Sequence, residues 1–471
     1  MPDDRSAAAL VTQLYERDHG PFALASDPDE VLSEDLVAEI FVRLHGDELR
    51  FDHHAGRWFA WQGSHWRRQD TGAATEMVRN VARRAAQNAT SDSKAAAMRK
   101  AAFVAGAERL AQTDQRVAVT SEAWESDPFL LGTPGGTVDL RSGEMRAADP
   151  GDGLTKLSAV APAETPDCDR WLRFLDDATG RDDDLIEFLQ LVMGYCLTGD
   201  TREHALFFVY GDGGNGKSVF LNTFAGILGD YATTAAMDTF TASHHDRHAT
   251  ELARLQGARL VSASETEEGR AWAESRIKQL TGGDRIAARF MRRDFFEFSP
   301  VFKLLIVGNH RPVLRNVDEA ARRRFRLIPF TRKPPSVDKE LEAKLRDEWP
   351  GILRWAIEGC QKWLDAGLNE PAAVVDATSA YFEDQDTMGA WLEERCTTGA
   401  HEFEEKAKLF TDWSEYARAA GENPGTRKAF NDAMVKRGFV PTKARIGSRI
   451  PPVFRGVAFS FDPAASGINH D

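Results

Sequence analysis

The sequence has 471 residues, 42% hydrophobic and 28% charged, with a net charge of −14 at pH 7; that is the length of about three domains and the balance of a globular protein. No apolar run reaches membrane-spanning length, the start Met1-Pro2-Asp3-Asp4-Arg5 lacks the basic and apolar parts of a signal peptide, and Cys168, Cys196, Cys360 and Cys396 have no metal-ligand spacing. A membrane partner is therefore not expected, the cysteines read as reduced and cytosolic, and the acidic sum argues against a protein that coats nucleic acid uniformly.

In chain order, residues 1–45 read as an acidic, helical lead. Between 49 and 66, Phe51, Trp58, Phe59, Trp61 and Trp66 recur with Gly56 and Gly63 at turns, which predicts a small antiparallel sheet. Such aromatics can stack single-stranded bases, but a place in the core is the favoured reading. A helical region over 73–112 follows, then a short strand pair over 129–140 with the turn Arg141-Ser142-Gly143-Glu144. The apolar face of 183–198 predicts a helix at the entrance of a larger domain.

The segment Gly211-Asp212-Gly213-Gly214-Asn215-Gly216-Lys217-Ser218 reads G-x-x-x-x-G-K-S, between an apolar strand at 205–210 and an apolar helix at 219–228. That context makes it a phosphate-binding loop. Its glycines let backbone N–H groups face phosphate oxygens, the helix adds its N-terminal dipole, Lys217 reaches the β- and γ-phosphates, and Ser218 can hold Mg²⁺. The expected cofactors are ATP and Mg²⁺.

The strand 259–265 ends on Glu265, suited to orient the attacking water or hold Mg²⁺ through a water; Glu267 and Glu268 are nearby surface acids. Segments 287–291 and 295–298 flank Arg292-Arg293-Asp294, the pattern of a β-hairpin with two arginines at its tip to grip a phosphate backbone. The strand 301–309 ends on Asn309, placed to sense the γ-phosphate. Arg322, Arg323 and Arg324 follow, one of them a candidate arginine finger for a neighbouring subunit's ATP.

Two stretches are basic within the acidic chain: 285–333 carries thirteen Lys/Arg against four Asp/Glu, and 424–456 carries eight against one. This distribution predicts specific anionic contacts. The second stretch includes a helix over 426–438 with Arg427, Lys428, Lys436 and Arg437, followed by strand-like sequence with Lys443, Arg445, Arg449 and Arg455. Helices before a basic hairpin predict a winged helix on duplex DNA; a protein-interaction module of the same shape is the alternative. His244, His245 and His248 read as loop residues rather than a zinc site.

The motif order resembles superfamily 3 helicases, specifically the helicase part of phage and plasmid primase–helicases and of the poxvirus primase–helicase. The carriers are the loop with Asn before Gly-Lys-Ser, the strand ending Ser264-Glu265, Lys278-Gln279-Leu280-Thr281-Gly282-Gly283-Asp284, Gly308-Asn309-x-x-Pro312 and Arg323-Arg324-Phe325-x-x-x-Pro329-Phe330. Leu140-Arg141-Ser142-Gly143-Glu144 looks like the family's pre-helicase domain.

The resemblance implies an α/β chain: an N-terminal α+β pre-helicase domain (46–166) after the lead, an AAA+-type P-loop ATPase domain (167–335), a helical connection (336–385), a winged-helix-like DNA-binding domain (386–462) and a tail (463–471). It implies a hexameric ring with ATP sites between subunits and single-stranded DNA in the pore. Asn309 becomes the sensor, Arg324 the best finger candidate, Arg292 and Arg293 the pore-hairpin tip, and Lys278 a support for that hairpin or a DNA contact.

The segment ahead of the pre-helicase region is too short for the primase domain that family members often carry, so primer synthesis is expected from a separate primase or polymerase. The expected function is an ATP-dependent DNA helicase of a phage, plasmid or integrated mobile element in a bacterial cytoplasm. The alternatives are a nucleic-acid translocase that does not unwind and an origin-binding scaffold controlled by ATP.

Overall fold

The computed structural model describes residues 33–89, 91–242, 249–265, 270–289, 295–314, 319–334, 337–420 and 423–460. Helix α1 (Glu34–His45) starts on Ser33, whose side chain accepts the Leu36 N–H, and buries Val37, Ala38, Phe41 and Val42 at helical spacing. Strands β1 (Leu49–Asp52), β2 (Arg57–Trp61) and β3 (Trp66–Arg68) form the antiparallel sheet, and β4 (Ala118–Val119) joins β1 in parallel. Alternation along β2 turns Trp58 and Ala60 into the helices and leaves Phe59 and Trp61 half-exposed on the other face.

The region 73–112 breaks into α2 (Ala73–Ala85), α3 (Asp92–Met98) and α4 (Ala101–Ala111), with Ser91 capping α3 through the Lys94 N–H. The strand pair expected over 129–140 is a three-stranded sheet: β5 (Leu130–Thr133), β6 (Gly136–Asp139) and β7 (Glu144–Arg146), because the Arg141–Glu144 turn returns the chain along β6.

Two helices follow, α5 (Asp169–Thr179) and α6 (Asp183–Leu197). Next comes a five-stranded sheet of β8 (Leu206–Tyr210), β9 (Ala232–Thr234), β10 (Leu260–Glu265), β13 (Lys303–Gly308) and β14 (Phe325–Pro329), in the order β14-β8-β13-β10-β9 and parallel throughout. Both faces of the central strands are covered, which is why β8 and β13 read as apolar runs: all six residues of β13 and four of the five of β8 are buried. Helix α7 (Lys217–Leu228) follows β8. Helix α8 (Glu274–Thr281) and the hairpin of β11 (Ile286–Ala288) and β12 (Phe296–Phe298) lie between β10 and β13 in sequence.

After the sheet come α9 (Trp349–Ala366) and α10 (Ala372–Asp384). The helix expected over 183–198 is α6; eleven of its residues are buried, and it packs along α9. Two glycines let the helix backbones touch. A Cβ on Gly194 would lie 2.1 Å from the Cys360 nitrogen, and one on Gly359 would lie 2.2 Å from the Gln190 carbonyl oxygen. One hydrophobic core runs from Phe129 and Leu131 through α5, α6, α7 and the sheet to Trp363 and Val374, so it crosses the boundaries expected at 166/167 and 335/336.

Two buried cations close the far end of α6. Lys303 donates to the Thr198 and Val301 carbonyls and stands 4.9 Å over the Tyr195 ring, while Arg259 donates to the Leu197 (2.5 Å) and Leu130 (2.6 Å) carbonyls. Burial lowers the Lys303 pKa to about 7.

The terminal module contains α11 (Thr387–Arg395), β15 (Cys396–Glu405), α12 (Lys406–Ala419), α13 (Arg427–Lys436), β16 (Val440–Lys443) and β17 (Pro452–Phe459), with the antiparallel order β15-β17-β16. Its own core holds Trp391, Trp413, Phe430, Met434 and Phe454. All four cysteines are buried and free, and burial pushes their thiols up to about 12. Among the described residues no helix is long and apolar enough to cross a membrane.

Candidate functional site

The site forms where β8 runs out. Tyr210 pairs with Gly308, and Gly308 with Glu265, so the ends of β8, β13 and β10 make one row, from which 211–218 and Asn309 emerge on the same edge of the sheet. Clefts outside the carboxyl ends of parallel strands are the usual ligand sites of such sheets.

Gly211 has φ +151°, and a Cβ there would lie 1.9 Å from the Phe330 carbonyl oxygen; that close pass brings the loop beside the end of β14. Asn215, 2% exposed, fixes the same contact by donating to that carbonyl. Gly216 (φ +87°) precedes α7 and no side chain caps that helix, so its first-turn N–H groups face the loop's hollow. Lys217 is 7% exposed and donates to the Gly211 carbonyl (2.7 Å), the Asp212 carbonyl (2.9 Å) and Asn215 Oδ1 (2.8 Å). Burial lowers its pKa, with Asp212 opposing the shift. Ser218 is exposed in the first turn.

A cavity of about 560 Å³ is lined by Gly213–Val219 and by Asn309, so the structure brings the loop and Asn309 to one space. Glu265 sits at the end of its strand on the same edge; Glu267 and Glu268 lie outside the described residues. The donor set is one ammonium, one hydroxyl and a row of backbone N–H groups, chemistry that fits a polyphosphate with a hard divalent cation.

Arg324 lies elsewhere. Its carbonyl accepts the Leu206 N–H (2.7 Å) at the start of β8, the opposite edge of the sheet from the loop, and its guanidinium donates to Thr281 Oγ1 (3.1 Å) and the Ala320 carbonyl (2.8 Å). Arg322 stacks 5.0 Å over the Phe382 ring, and Arg323 is exposed. The structure therefore does not bring Arg324 to the loop 211–218 of its own chain.

Lys278 is half-buried on α8, which ends at Thr281 beside Arg324. The arms of the hairpin are β11 and β12; its tip, with Arg292 and Arg293, lies outside the described residues, as do His244, His245 and His248. In the terminal module Arg427, Lys428, Lys436, Lys443 and Arg445 are exposed along α13 and the β16–β17 hairpin. Arg437 is engaged at home: it donates to Asp386 (3.1 Å), the residue that caps α11.

Sequence reasoning missed α5. Arg170, Arg173, Phe174 and Asp177 all line the cavity, and a Cβ on Gly216 would lie 2.6 Å from the Phe174 ring. The signal was Arg170 and Arg173, three apart on a helix with acidic neighbours, but only tertiary packing shows what they face.

Residues 38–180 match the family model described as D5 N terminal like, and 209–324 match that of a family of unknown function. A "Putative helicase" of Acanthamoeba polyphaga mimivirus is 25% identical over 296 residues, 57% of this chain and 31% of that protein. A "Putative helicase" of Frog virus 3 (isolate Goorha) is 26% identical over 303 residues, 58% of this chain and 29% of that protein. The chain thus spans under a third of the length of these relatives. Among solved structures, the apo NrS-1 C-terminal region aligns with a TM-score of 0.49 at 11% identity, over 90% of this chain and 99% of that one.

Proposed function

We propose that this chain, which resembles the superfamily 3 helicases of phage-type primase–helicases, is an ATP-dependent DNA helicase that works as a ring of AAA+ type. One observation carries the reading: the phosphate loop, Glu265 and Asn309 share one edge of the sheet, whereas Arg324 stands on the other. A subunit so built presents half of a site at each end, and two copies set edge to edge complete one.

In this reading Lys217 exchanges its three loop acceptors for the β- and γ-phosphate oxygens. Ser218, with Glu265 beside it at the strand end, would hold Mg²⁺, and the ion would supply neutralisation of phosphate charge. Glu265 orients the attacking water, Asn309 monitors the γ-phosphate, and Arg324 of the neighbouring subunit stabilises the charge that develops during transfer. Single-stranded DNA passes the Arg292/Arg293 tip with Lys278 behind it. The terminal module meets duplex DNA as a winged helix, a reading supported by α12 and α13 followed by a hairpin with exposed Lys443 and Arg445. Six copies, a mobile genetic element and a bacterial cytoplasm complete the proposal.

The test is ATP turnover with and without single-stranded DNA, beside unwinding of a forked duplex, for the wild type and Lys217→Ala. DNA-stimulated turnover and strand separation, both lost in the variant, support the helicase. Turnover without separation leaves a translocase, and ATP binding without turnover leaves the scaffold.

A further inference from the structure

Pro312 closes the motif Gly308-Asn309-x-x-Pro312 but is not among the residues that line the cavity with Asn309. Past Asn309 the chain turns inward: Asn309 and His310 are exposed, whereas Pro312 and Leu314 are buried. There it pairs with the segment that continues from β10. The Trp272 N–H donates to the Val313 carbonyl (2.9 Å), and the Val313 N–H donates to the Arg270 carbonyl (2.7 Å). The extensions of the two strands that carry Glu265 and Asn309 are thus tied to each other.

Helix α10 closes over that tie. Tyr381, 1% exposed, accepts the Trp272 indole N–H (3.0 Å) and donates its own hydroxyl to the Pro312 carbonyl. The Arg311 guanidinium lies 5.6 Å from the Tyr381 ring and 5.3 Å from the ring of Tyr210, the residue before Gly211. It also reaches Asp384 (3.4 Å), and Gln385 Oε1 accepts the Leu314 N–H (3.0 Å). The next residue serves the terminal module. Asp386 accepts the Gly389 N–H (2.9 Å) as the cap of α11, and it pairs with Arg437 (3.1 Å) at the end of α13. Residues 381–386 therefore grip the strand extensions of the site on one side and two helices of the terminal module on the other.

These contacts divide by depth. Tyr381 belongs to the core beneath the sheet and acts as a pivot. The Arg311–Asp384 side chains are 33% and 61% exposed, and an ion pair so placed is worth little by itself, so it is remade at small cost. A shift of Asn309 toward a γ-phosphate is then taken up at Asp384 and Gln385, directly beside Asp386. We propose that Tyr381, Asp384 and Gln385 position Asn309 and, with Asp386, form the joint that carries nucleotide occupancy to α11 and α13. The nucleotide part rests on the function proposed above; the joint itself does not require turnover.

The test is amide hydrogen exchange on the full-length chain with Mg²⁺, with and without a saturating non-hydrolysable ATP analogue whose binding is measured separately by calorimetry. In the wild type the analogue should change exchange across 387–395 and 427–436 by about fivefold, the lower end of coupling between sites. Asp384→Ala/Gln385→Ala should still saturate with the analogue and lose that change. Asp384→Glu/Gln385→Glu keeps both acceptors and should keep the change. A lesion that merely loosens the fold would instead raise exchange in the absence of the analogue. Should the alanine pair misfold, Arg437→Gln cuts the joint on its far side: the change over 427–436 should vanish while that over 309–314 persists.

An undiminished change over 387–395 and 427–436 in the cut variants would overturn the joint. So would a wild type that binds the analogue and shows no change there. A wild type that does not bind the analogue at all would overturn the function proposed above and the joint with it, and the calorimetry tells these failures apart.

Discussion

Gly211 and Gly214 both have positive φ, at +151° and +84°, yet their substitution should differ. A Cβ at 211 meets the Phe330 carbonyl at 1.9 Å, whereas one at 214 meets nothing within 4 Å. Gly211→Ala should therefore destabilise the sheet edge by ~2 kcal/mol or more, and Gly214→Ala by only ~1–2 kcal/mol of backbone strain; denaturant unfolding of the two variants checks this. Lys303 gives a pH signature. Its pKa in the fold is lowered by burial to about 7, while an unfolded lysine titrates near ~10.4. Between those values the unfolded chain binds more protons, so stability rises with pH across the window, by at most ~1.4 kcal/mol per unit, and is flat below it. Lys303→Met should remove that slope from a pH series of unfolding midpoints.

At the scale of elements, legibility followed burial. The strands β8, β10 and β13 were readable because buried apolar residues run through them, and a glycine marked where β8 ends; β14 was not read as a strand, since Arg326 interrupts it and the arginines before it drew the reading to charge. Strand β7 was not, since all three of its residues are exposed and carry no alternation. The breaks in the 73–112 helices hid in Ala-rich sequence, where the Ser91 cap was the one local cue. The turn at 211–218 between β8 and α7 was legible whole, because its glycine spacing is local. The contribution of α5 to the cavity was not, because Phe174 meets Gly216 across some forty residues of chain. Nor was the α6–α9 contact, where two glycines act only in each other's presence. Gly359→Val should force the helices apart and cost several kcal/mol, ~3 or more, by overpacking against the Gln190 backbone; circular dichroism on heating would report it as a large fall in melting temperature.

For the whole molecule, the separation of Arg324 from residues 211–218 of its own chain makes, with the proposed function, a stringent prediction. Lys217→Ala and Arg324→Ala should each abolish ATP turnover alone, yet a mixture should regain part of it, because a Lys217 from one copy and an Arg324 from the other complete a joint site. Turnover measured against mixing ratio tests this, and a flat line at zero would place the finger elsewhere. The continuous core has another consequence. Strands β5 and β6 and helix α6 are made early in synthesis, but α9, which covers α6, emerges from the ribosome only after β14. Until residue 366 is translated, the side of α6 that packs along α9 has no cover, so a premature stop anywhere before α9 should leave that apolar strip exposed and yield a substrate for proteases rather than a smaller folded protein.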